Sequence, residues 1–83
     1  MRTKIQQAAE QYLKLVRWSE EDESFIGSIP DLCGDCCHGD TETDVYAKLV
    51  IIAEDLIADY LDGTIPGGLP PVSVRPMREL VAA

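Results

Sequence analysis

SFIGSIPDLCGDCCHGDT, residues 24–41, is the stretch on which the fold turns. Ser24–Ile29 reads as a strand, with Phe25, Gly27 and Ile29 on one side and Ile26 and Ser28 on the other. Pro30 ends it, because proline has no N–H to give to a ladder, and Asp31 with Gly34 supplies turn chemistry. A short strand over about Asp35–His38 follows, and Gly39 and Asp40 turn the chain into a helix. Thr41-Glu42-Thr43-Asp44 fits a capping box, in which the Thr41 hydroxyl accepts from an orphan helix N–H and Asp44 reaches back. Acids in that first turn also complement the helix dipole.

Upstream, Tyr12–Trp18 alternates as a strand, Leu13 and Leu15 on one face and Tyr12, Lys14, Val16 and Trp18 on the other. The acidic run Glu20–Glu23 resists burial and suits the tip of a hairpin between the two strands. Met1–Glu10 has helix-forming residues but few apolar anchors, and reads as a short helix or a frayed lead-in. Downstream, Val45, Leu49, Ile52, Ala53, Leu56, Ile57 and Tyr60 recur at three- and four-residue steps, one stripe of a helix over Asp44–Asp62 that should pack on the sheet. Lys48, Asp55, Asp59 and Asp62 lie opposite. Ala47, Ile51 and Ala58 form a narrow apolar strip away from that core, read either as ordinary exposure or as a contact surface for a second subunit or partner. Gly63 is placed to end the helix in a left-handed conformation. After a Pro- and Gly-rich loop, Val72–Arg75 is expected as a last short strand, stopped by Pro76. The expected fold is α+β: a small antiparallel sheet of three to four strands packed on one long helix, in the order β-β-β-α-β, with or without a short N-terminal helix.

The 83 residues, 46% hydrophobic, allow one domain over 1–83 with a modest core at about residues 12–75. Stability at this size is small, on the order of several kcal/mol, so a homo-oligomer, dimer or tetramer, is expected. The net charge of −8 disfavours direct DNA binding, which needs clustered Lys and Arg, and favours a basic protein partner. No apolar run reaches the roughly 20 residues of a membrane helix, and the N-terminus is polar, so a cytoplasmic, membrane-free chain is expected. Arg78–Ala83 is too short for a DNA-binding unit.

Cys33, Cys36, Cys37 and His38 invite a metal or redox reading, since C-x-x-C beside an imidazole supplies soft ligands. Alternation on a strand would send Cys36 and Cys37 to opposite faces, however, and no second ligand pair exists elsewhere. The reading is therefore of reduced thiols, no metal and no cofactor. His38 lacks a nucleophile and an orienting group, Gly67-Gly68 does not precede a helix, and the plentiful acids are read as solvent-facing, so no catalytic residue is assigned.

The order of strand, Phe25, Pro30-Asp31-Leu32, Gly34, then Gly39-Asp40-Thr41 and an acid-led helix resembles the signature of the HicB family over about Tyr12–Val72. Cys33 stands where that family usually has proline, and Asp35 where it often has cysteine. The resemblance implies a partial ribonuclease H-like fold without that fold's metal-binding carboxylates, hence no enzyme activity. It assigns Pro30, Gly34, Gly39 and Thr41 structural roles. It also implies an antitoxin that neutralises a basic HicA-like toxin, a messenger-RNA-cleaving ribonuclease, by occlusion, or alternatively an orphan module of the same fold that binds another partner. Asp31, Asp35, Asp40 and Glu42, around the turn and the helix start, are the candidate partner contacts.

Overall fold

The computed structural model describes residues 1–73. Its elements are α1 (Lys4–Glu10), β1 (Leu15–Ser19), β2 (Ser24–Ile29), β3 (Gly34–Gly39) and α2 (Glu42–Leu61). The fold is α+β, in the order α-β-β-β-α, with an antiparallel sheet ordered β1-β2-β3. Of the expected last strand, Val72 and Ser73 are described and are not strand, while Val74 and Arg75, with Pro76 and Arg78–Ala83, lie outside the described residues.

α2 is the element that organises the rest. Val45, Leu49, Ala53 and Ile57 recur on one stripe and are fully buried, and Ile52, Leu56 and Tyr60 flank them half-buried. Thr41 caps the helix, its hydroxyl accepting the Asp44 N–H at 3.1 Å. The return bond expected from the Asp44 carboxylate is not made: aspartate is one methylene shorter than the glutamate that usually closes such a box. At the other end Asp62 is the C-cap and Gly63 turns left-handed at φ +85°.

The face of the sheet toward α2 carries Val16, Trp18, Phe25, Gly27, Ile29 and Cys37, as the pairings Val16 with Gly27, Trp18 with Phe25 and Gly27 with Cys37 require. Gly27 allows the helix to approach closely. A Cβ there would lie 2.6 Å from Cys37 Sγ and 2.7 Å from Val45 Cγ1.

Two local expectations are corrected, and a third, left between two readings, is decided. Tyr12–Lys14 precedes the first strand: α1 runs to Glu10, and Tyr12 follows it as a buried anchor whose hydroxyl donates to the Pro70 carbonyl. Lys14 Nζ donates to the Ala9 carbonyl at 3.0 Å, a second bond at the end of α1 to an oxygen that also accepts the Tyr12 N–H. The lead-in is a formed helix, closed by a full capping box between Thr3 and Gln6, and it brings Ala9 into the core, which therefore begins before residue 12. Finally, β3 is bulged: Gly27 pairs with Cys37 and Ser28 with Asp35, leaving Cys36 unpaired. The extra residue breaks the two-residue alternation, so Cys36 and Cys37 both pack against the core instead of facing apart.

Candidate functional site

Asp31, Asp35, Asp40 and Glu42 do not form one patch. β3 separates them: Asp35 pairs near its start and Asp40 follows its last residue, about five strand steps away, roughly 17 Å.

At the lower end, around the β2–β3 turn, the acids are already engaged. Asp31 Oδ2 accepts from the Ser73 N–H at 2.9 Å and the Ser73 hydroxyl at 2.7 Å, so this carboxylate fastens Ser73 to the β2–β3 turn instead of shaping its own turn. Those bonds hold its pKa below the ordinary value. The turn is closed by backbone instead, with the Leu32 and Cys33 N–H groups donating to the Ile29 carbonyl and Gly34 left-handed at φ +67°. Asp35 pairs with Arg17 at 3.0 Å on the open face of the sheet.

The upper end gathers the acids of the hairpin tip and of the α2 start. The β1–β2 connection is Glu20–Glu23, locked by Ser19, whose hydroxyl donates to Asp22 Oδ2 at 2.8 Å and accepts the Asp22 N–H at 3.2 Å. Asp40, Glu42 and Asp44 lie at the same end, because Gly39 pairs with Phe25 one residue from that connection. Beside them sit aromatics that the sequence reading did not single out as a surface. Trp18 is 48% exposed and meets Phe25 edge-on at 5.1 Å between ring centroids. Tyr46, 49% exposed, lines an open groove with Val16, Glu42, Thr43 and Ala47. Tyr46 belongs to neither the buried stripe nor the polar face of the helix; only its i, i+4 spacing from Glu42 and Val50 in the sequence hints at a third face.

The strip Ala47, Ile51 and Ala58 is real in part. Ala47 is exposed and Ile51 is 60% exposed, whereas Ala58 is half-buried.

Around the cysteines, burial pushes Cys36 up to about 11, with Cys33 beside it adding to the rise. Burial likewise raises Cys37, whose thiol donates to the Val45 carbonyl at 3.8 Å. A thiol held protonated is a poor nucleophile and a poor metal ligand. Among the described residues no three His, Cys, Asp or Glu side chains converge on a position that could hold a metal. Nor, among them, is any helix long and apolar enough to cross a membrane. No family model, characterised protein or solved structure matches the chain.

Proposed function

We propose that this chain is a HicB-like antitoxin that works by protein–protein occlusion in the cytoplasm, binding a small basic HicA-type toxin and covering its RNA-cleaving face. The observation that carries the reading is electrostatic: fifteen acids against seven Lys and Arg, with the carboxylates of the hairpin tip and the α2 start exposed at one end of the sheet. Such a surface steers a basic protein into place and repels nucleic acid. The signature residues support it through their local geometry, since Pro30 follows β2, Gly34 takes the left-handed position and Thr41 caps α2. No group in the chain is assigned catalytic work. The partner contacts of this reading are Asp40 and Glu42, with Asp31 and Asp35 serving the fold through Ser73 and Arg17.

The test is purification of the chain from its native cells through a moderate-salt wash, with mass spectrometry of whatever remains bound. A stoichiometric small basic protein whose RNA cleavage the chain blocks is the expected result. Recovery of the chain alone, or of a basic protein that goes on cleaving RNA in its presence, rejects the antitoxin reading.

A further inference from the structure

We propose that the chain grips an arginine-bearing basic segment of its protein partner on the exposed rings of Trp18 and Tyr46 and the half-buried Val16, beside Glu42 and at the end of the sheet that carries Glu20 and Glu21. This deepens the protein-binding reading above and rests on it for the partner's class. The surface itself rests on separate observations.

Trp18 is the chain's single tryptophan, and it spends half its surface on water although it projects from the core-facing side of β1. Phe25 holds one edge of its ring and leaves the rest open. Val16, two residues earlier on the same face, continues this surface into the groove beneath Tyr46 and Glu42. Exposed aromatic rings with an acid beside them have the makings of a binding hot spot, in which Trp, Tyr and a facing Arg dominate.

Charge selects the occupant. The two ion pairs among the described residues, Arg2 with Glu10 and Arg17 with Asp35, leave Glu20, Glu21 and Glu42 without a cation. A second copy would bring like-charged ends together, and a nucleic acid would add phosphates to carboxylates. A guanidinium answers both halves of the surface, stacking flat on the indole while its N–H fork reaches a carboxylate. A lysine ammonium offers the charge without the plane.

The experiment titrates octa-arginine, with octa-lysine as the probe of equal charge, into the full chain while Trp18 fluorescence and backbone amide shifts are followed. Expected are shifts centred on residues 16–18 and 42–46, and octa-arginine binding about threefold tighter than octa-lysine. Trp18→Leu should abolish that preference, and Glu42→Lys should weaken both peptides roughly fivefold. Glu42 is exposed, so its variant keeps the test informative where Trp18→Leu disturbs the sheet, with circular dichroism checking both folds. Shifts spread evenly over the acids or centred on Asp55 and Asp59, equal affinity for the two peptides, or an unchanged preference in folded Trp18→Leu would each overturn the proposal. The two readings separate cleanly. If both variants still block RNA cleavage by a co-purified basic protein, this surface is wrong and the antitoxin reading stands. If octa-arginine maps here but no basic protein co-purifies, the surface stands without the antitoxin.

Discussion

Gly27 is a residue whose identity is set by what lies above it. A methyl group there would lie 2.6 Å from the Cys37 sulfur and 3.0 Å from Leu49 Cδ2, both inward-packed and unable to retreat far. Gly27→Ala should therefore cost about 1–3 kcal/mol of overpacking strain, read as a lower urea midpoint. An unchanged midpoint would mean that the sheet and helix do not approach this closely. The sequence places Gly27 on the core side of β2 but cannot say why it is glycine, because the reason is a long-range contact with α2. Asp31 is the same lesson with the opposite chemistry. It stands in a Pro-Asp turn and reads as a turn residue, yet its carboxylate is taken by Ser73, 42 positions away. Those bonds depress its folded pKa below the ordinary 3.8. A depressed carboxyl contributes stability that is present above its unfolded pKa and lost as pH falls through its folded one. The Ser73 amide shift should accordingly titrate with a midpoint below 3.8, and Asp31→Asn should remove that step; a midpoint at or above 3.8 in the parent contradicts the tether.

At the scale of elements, legibility follows length and period. α2 is readable because twenty residues repeat the apolar step many times and carry signals at both ends. A decisive check compares two of its aliphatic side chains. Leu49 is wholly buried and Ile51 is 60% exposed, so Leu49→Ala should lose about 2–5 kcal/mol, with Ile51→Ala within about 0.5 kcal/mol of the parent. Comparable losses in chemical denaturation would mean that the helix is rotated or that Ile51 is covered by another chain. α1 is harder to read, since its core contribution is the small side chain of Ala9 with Ile5 and Ala8 packed behind it, too little apolar signal for a seven-residue helix. Its start was nevertheless written in Thr3 and Gln6, a capping box without the usual acid. The alternation of Tyr12 to Val16 imitates a strand that starts at Tyr12, although Tyr12 is buried ahead of β1, which starts at Leu15. The bulge in β3 left no mark in sequence, since one unpaired residue between Asp35 and Cys37 shifts a face without changing composition.

For the molecule as a whole, the charge imbalance was legible at once, while the division of acids between two ends was not, because strand pairing alone brings residues 20–23 beside Asp40 and Glu42. That distribution makes salt act in opposite directions on folding and on recognition. With fifteen acids against seven Lys and Arg, like charges crowd a 83-residue chain, and screening them should stabilise the fold. Raising ionic strength from about 20 to about 200 mM shortens the Debye length from roughly 20 Å to under 10 Å, so the melting temperature should rise by a few degrees. The same screening removes the attraction between the acidic end and a basic partner, and the association rate should fall by about tenfold over that range with a much smaller change in dissociation. A melting temperature that fell with salt would show that attractive pairs such as Arg17 with Asp35 outweigh the repulsion. An association rate indifferent to salt would remove steering from the account and leave the aromatic surface as the source of affinity.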